Sequence, residues 1–135
     1  MQPVPLHAGP FLVAVLVKII VGWVWFSPAG FLKQWQIITG VTDEQMRGGM
    51  AKGMATWILG SVVMTFVLAH AVYYASATTV GQGMAVGFWN WVGFIFVVQM
   101  DQWAAAKRPF QLVLLNSGSY LVALVIMGAI LAAWR

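Results

Sequence analysis

The stretch PFLVAVLVKIIVGWVWF, residues 10–26, decides the fold: it is apolar from end to end except for Lys18. Gly9-Pro10 opens it and Ser27-Pro28 closes it, because proline lacks the N–H a helix ladder needs and its ring clashes with the preceding turn. About 20 mostly apolar residues let a helix cross the hydrocarbon core of a bilayer, and three more runs of that kind follow. They are MATWILGSVVMTFVLAHAVYYA (54–75), GMAVGFWNWVGFIFVVQMDQW (83–103) and PFQLVLLNSGSYLVALVIMGAILAAW (109–134). Pro109 suits the first turn of the last run. Of the 135 residues, 61% are hydrophobic and 7% charged, whereas a soluble domain is about a quarter charged. The expected fold class is all-α: an integral membrane four-helix bundle, one domain over 1–135.

The connections add detail. Residues 76–82 and 104–108 are short polar turns, and 27–53 is long. The long connection holds Thr42-Asp43-Glu44-Gln45, in which Thr42 and Gln45 form a capping box. This predicts a short interfacial helix, bent at Gly48-Gly49 before the second span. The connections after spans 1 and 3 carry Lys33, Arg47, Lys52, Lys107 and Arg108, while the opposite side carries Arg135. By the positive-inside rule both of those connections lie in the cytoplasm and both termini outside. Residues 1–17 contain no Lys or Arg, so the first run is expected to stay as a span rather than leave as a signal peptide. Trp35, Trp57 and Trp103 fall near the inner interface, and Trp134, Tyr73 and Tyr74 near the outer one. Trp89 and Trp91 lie inside span 3 and must serve packing or a ligand.

Composition excludes several classes of function. Cysteine is absent, which removes disulfides, thiolate zinc sites, Cys-ligated iron–sulfur clusters and c-type haem. The net charge of +4 is scattered singly between apolar runs, unlike the clustered patch that binds nucleic acid. The acids are Asp43, Glu44 and Asp101, and none is expected deep in the membrane. No phosphate loop, nucleophile elbow or H-E-x-x-H motif is present, so an enzyme is not expected.

The polar groups inside the spans are the candidates for chemistry. Lys18 is the most informative, because a lysine near the bilayer centre costs about 2.5 kcal/mol or more unless it snorkels, pairs or loses its proton. Counting depth along each run puts Lys18, His70 and Asn90 at one level, which predicts an intramembrane polar cluster of the three. The same lysine also fits a snorkelling side chain. On span 2, Thr56, Gly60, Val63, Val67, His70 and Tyr74 share a face. On span 3, Gly83, Gly87, Asn90, Phe94, Val97 and Asp101 do. Gly83 and Gly87 make a G-x-x-x-G pair suited to close helix packing. No metal site and no cofactor are expected; His70 is the residue that can ligate a haem or pigment if one is present. Asn116, Ser117, Ser119 and Tyr120 gather in span 4, where such groups usually bridge helices.

Two patches carry a resemblance. GWVWFSPAGFLKQW (22–35) resembles the Gly-x-x-Trp-Tyr-Ser-Pro…Phe…Trp signature of a family of small bacterial membrane proteins of unknown function. FWNWVGF (88–94) and LLNSGSYLVALVIMGAILAAW (114–134) resemble its other patch, with Asn-x-Gly-x-Tyr/His opening the last helix. The matched positions are Gly22, Trp25, Ser27, Pro28, Phe31, Trp35, Asn116, Gly118 and Tyr120. Phe26 stands where the pattern often has tyrosine, and Lys18 and His70 lie outside it. The resemblance implies four helices and a bacterial membrane, and supplies no reaction. Physically, Trp25, Ser27, Pro28 and Trp35 end span 1 where Asn116 and Tyr120 begin span 4. The two patches therefore read as one structural joint, with the Asn116 amide serving carbonyls freed at the end of span 1, or as a ligand site.

Two functions fit. One is an accessory or scaffolding subunit of a larger membrane complex, with the bilayer and other membrane subunits, or further copies of itself, as partners. The other is a small oligomeric transporter, channel or ligand-binding protein with a polar site near Lys18. A hydrated cavity around Lys18 would favour the second, and direct pairing of Lys18 the first.

Overall fold

The computed structural model describes residues 2–134. Helix α1 (Ala8–Trp25) is followed by two short helices, α2 (Leu32–Thr39) and α3 (Asp43–Gly48), and then by α4 (Met50–Tyr74). The third span is continuous from α5 (Val80–Trp91) through a π-helical turn (Val92–Phe96) into α6 (Val97–Ala105), and α7 (Phe110–Ala133) ends the fold. Among the described residues there is no strand. Four helices are long and apolar enough to cross a membrane: α1, α4, the continuous Val80–Ala105 helix, and α7.

Local chemistry sets most of the boundaries. Thr42 accepts from the Gln45 N–H at 3.2 Å while Gln45 accepts from the Thr42 N–H at 3.0 Å, so the capping box opens α3. Gly40 closes α2 in the left-handed region at φ 74°, where a side chain would be strained. Gly49, at φ −100° and ψ 6°, breaks α3 from α4 and sets the bend between them. A second capping box, Thr79 with Gln82, starts the third span at Val80, a turn before the Gly83 start expected from apolarity. After α1 the chain reverses through Ser27-Pro28-Ala29-Gly30. The Gly30 N–H donates to the Ser27 carbonyl at 2.9 Å, with proline at the second position of the turn.

Helix α7 is the axis of the bundle and touches every other span. Its buried residues cover more than half of its circumference, as expected of a helix enclosed on several sides, and the remaining arc, with Leu114, Val122 and Ile126, is exposed. The core gathers Ala14 of α1, Leu68 and Val72 of α4, and Ala123, Leu124 and Met127 of α7. The closest approach in the molecule is between α5 and α7. A Cβ built on Gly83 would overlap the Gly128 carbonyl, one on Gly87 would overlap the Leu124 carbonyl, and one on Gly128 would overlap the Gly83 carbonyl. The glycines thus let two helix backbones touch, the arrangement that small-residue spacing permits in membranes. Large apolar side chains face outward on all four spans, including Leu12, Leu59, Trp89 and Leu114, as a lipid-solvated surface requires.

The π turn changes one face of the third span. Regular α-helical spacing puts Asn90, Phe94, Val97 and Asp101 in line. The wider i→i+5 turn inserts an extra residue, and the face that meets α4 and α7 instead carries Asn90, Phe94, Ile95, Val98 and Gln99.

Candidate functional site

Lys18 lies on the inner face of α1 and is 6% exposed. Its Nζ stands 4.7 Å from the centre of the Tyr120 ring and 5.8 Å from that of Trp57. The three acids of the chain sit elsewhere, two in α3 and Asp101 in α6. The ammonium is therefore met by two π-faces, which attract a cation through the ring quadrupole. Trp57 reaches this place because Gly22, four residues on from Lys18, leaves room for its ring: a Cβ there would overlap the indole. So Trp57 sits in the seam between α1 and α4, in addition to any anchoring role.

Tyr120 also faces a second space. A cavity of about 540 Å³ opens between α4 and the third span and is floored by Tyr120 and Leu124 of α7. Val63 and Val67 of α4 form one wall, and Asn90, Phe94 and Val98 the other. Most of this lining is apolar, with Asn90, Gln99 and Tyr120 supplying the polar groups. The Asn90 amide donates to the Val86 carbonyl at 2.8 Å, which leaves its own carbonyl oxygen available.

Of the expected cluster, Lys18 packs on the Tyr120 ring, Asn90 lines the cavity that Tyr120 floors, and His70 packs on Phe66. It lies four residues from the end of α4, about 6 Å, whereas Lys18 and Asn90 each lie ten residues from the start of their helices, about 15 Å. The Thr79 capping box, by lengthening the third span, is what moves Asn90 out of the His70 level. His70 stacks on Phe66 with ring centroids 4.4 Å apart and lies 6.3 Å from the Tyr74 ring. Its Nδ1 is 2.7 Å from the Phe66 carbonyl. A carbonyl can only accept, so Nδ1 carries the proton and Nε2 is the nitrogen left to take a ligand.

Of the joint expected between α1 and α7, the contact of Trp25 with α7 is present, and its chemistry runs in the opposite sense. The Trp25 indole N–H donates to the Leu115 carbonyl at 2.9 Å, and its ring lies on Gly118, where a Cβ would come within 2.8 Å. The carbonyls freed at the end of α1 are served locally: the Ser27 hydroxyl donates to Val24 at 2.8 Å and the Phe31 N–H to Trp25 at 2.7 Å. Phe31 packs on Trp25 at 4.8 Å and Trp35 on Phe26 at 6.2 Å. Asn116 lines a smaller cavity of about 280 Å³ with Thr39, Gln99, Gln102 and Arg108. Of the two interior tryptophans, Trp91 donates to the Ser117 carbonyl at 2.7 Å, while Trp89 is 67% exposed on the outer face. Replacing Trp25 by phenylalanine keeps most of the ring contact and removes only the indole bond. The expected loss is about 0.6–1 kcal/mol of unfolding free energy in mixed micelles. Trp25→Ala should cost about 3 kcal/mol.

Fold and site together define a multi-pass helical membrane protein with one central helix, a lysine packed on aromatic rings and an open intramembrane cavity. Within that class the chain belongs to the family described as protein of unknown function DUF1761, whose profile covers residues 10–132. No curated protein and no solved structure matches it.

Proposed function

We propose that this is a non-enzymatic accessory subunit of a larger membrane protein assembly, docking through its third span in a bacterial cytoplasmic membrane with both termini outside. The observation that supports this most is the uneven burial of the spans. The third span buries 11% of its most apolar window within the chain, against 44% for α7. Its outer face presents Phe88 and Trp89, the latter 67% exposed, and aromatic residues are enriched where protein surfaces meet. The basic connections on one side support the orientation. The placement of Lys18 also favours a subunit over a transport pathway. Its charge is packed on Trp57 and Tyr120, a direct pairing that leaves the ammonium less free to exchange with a passing ion.

Native mass spectrometry on protein extracted gently from its own host tests this. Stoichiometric foreign subunits, lost when Phe88 and Trp89 are replaced by leucine, are the expected result. A homo-oligomer with no foreign subunit would overturn it and favour the transporter or channel reading.

A further inference from the structure

The two cavities lie end to end along one face of α7. The smaller one takes Leu112, Val113 and Asn116 from α7, and the larger takes Tyr120 and Leu124. Asn116, Tyr120 and Leu124 are spaced by four and so stack on a single helix face. Gln99 of the third span lines both spaces and marks where they meet. From Leu112 to Leu124 is twelve residues, or about 18 Å, close to the depth of one leaflet of a hydrocarbon core about 30 Å thick.

The two ends differ in chemistry. The smaller space, at the basic end of the bundle, is lined by Arg108, Gln102, Asn116 and Thr39, and the larger mostly by Val, Leu, Ile and Phe side chains. No acid lines either one. The turn that delivers Arg108 is unusual. Lys107 adopts the left-handed region at φ 52°, and the Arg108 N–H turns back to the Gln102 carbonyl at 3.4 Å. A non-glycine residue is held there only when surrounding structure imposes it. The consequence is a guanidinium at the mouth of the smaller cavity, above a channel of apolar side chains.

We propose that this composite groove binds one anionic phospholipid from the leaflet at the basic end, with its phosphate on Arg108 and one acyl chain running along α7 between α4 and the third span. The head-end cation and amides suit a phosphate, which a planar guanidinium grips through paired hydrogen bonds. The length of the groove suits a chain entering from one leaflet only. Basic pockets between membrane helices recognise acidic lipid head groups in this way. The proposal is independent of the accessory role: a lipid held here lies inside the groove, whatever packs on the outer face of the third span.

The full chain, purified and delipidated in detergent, is titrated with phosphatidylglycerol or with phosphatidylcholine of the same acyl chains, and bound lipid is counted by native mass spectrometry. One phosphatidylglycerol per chain is expected, retained roughly fivefold better than phosphatidylcholine. Arg108→Gln should abolish that preference, while Lys33→Gln, on a different connection at the same end, should leave it intact. Val98→Trp fills the chain groove from an exposed position and should lower retention of both lipids. Equal retention of the two lipids, an unchanged preference in Arg108→Gln, or equal losses in Arg108→Gln and Lys33→Gln would overturn the proposal. So would displacement by millimolar inorganic phosphate with no dependence on the acyl chain, which would point to a free-anion site.

Discussion

Gly87→Leu is expected to detach the third span from α7 and to lower the unfolding free energy by roughly 3 kcal/mol or more, the upper range for overpacking. The reason is geometric. The atom that a Cβ at Gly87 meets is the Leu124 carbonyl of α7, and the Val125 Cα stands close beside it. Backbone cannot swing aside as a flexible side chain can, so the two helices must separate. Gly83 and Gly128 face each other in the same seam, and the contact is lost along its length rather than at one point. Lipid does not compensate, because helix association in a bilayer depends on packing more than on the expulsion of water. Gly60→Ala is the control. Nothing lies within 4 Å of a Cβ at Gly60 in α4, so alanine there should be neutral or stabilising by about 0.5–1 kcal/mol. Titration with a denaturing detergent, following the signal from Trp91 at the α5–α7 seam, reads both. A Gly87→Leu protein as stable as the parent would mean that α5 and α7 do not meet through these glycines.

The bundle was legible from the sequence, while the seam was marked on one side alone, by Gly83 and Gly87, with neither α7 nor Gly128 indicated. The four helices long and apolar enough to cross a membrane are set by apolar runs that proline, glycine and polar turns interrupt, and the G-x-x-x-G spacing marks the face on which a helix can approach closely. The capping box at Thr42 and the bend at Gly49 follow from the same local rules. Thr79-Val80-Gly81-Gln82 obeys the capping rule too, and it was hidden only because it lies inside a stretch that reads as a polar turn. The π turn at Val92–Phe96 is different in kind. No local preference dictates an i→i+5 bond, and its effect, which moves Val98 and Gln99 into the place of Val97 and Asp101, exists only once the third span packs against α7. The partners of Lys18 were hidden for a related reason. Trp57 and Tyr120 come from separate helices far along the chain, and only the pairing of α1 with both α4 and α7 brings their rings to one ammonium. Nor does composition signal the cavity, because it arises from the splay of α4 away from the third span.

Lys18 and Tyr120 should prove energetically coupled, and the sign of each single change is informative. A lysine at this depth carries a cost of about 2.5 kcal/mol or more on insertion. The Tyr120 and Trp57 rings offset part of it, at about 0.5–2 kcal/mol for a cation over an aromatic face. Lys18→Met retains a long, flexible side chain of similar volume and removes the charge. At about 1 kcal/mol for each ring the two return about 2 kcal/mol, so Lys18→Met is expected to stabilise the protein by about 0.5 kcal/mol or more, as other replacements of buried charge by packed apolar groups do. Tyr120→Leu in the parent removes one π-face and leaves the ammonium with Trp57 at 5.8 Å. It should destabilise by more than its lost packing alone. In the Lys18→Met background the same Tyr120→Leu change costs only that packing. The difference between the two costs, a coupling of about 1–2 kcal/mol, is read by a double-mutant cycle. Tyr120→Phe separates the ring from the hydroxyl. Phenylalanine keeps a π-face for the ammonium, so the coupling should survive it if the ring is what holds Lys18. A coupling near zero, with Lys18→Met destabilising, would instead mean that the charge is answered by something these rings do not supply, such as water or an anion entering from the Tyr120 side. In that event the space around Tyr120 would read as a hydrated path, and the preference for a docking subunit over a transport protein would reverse.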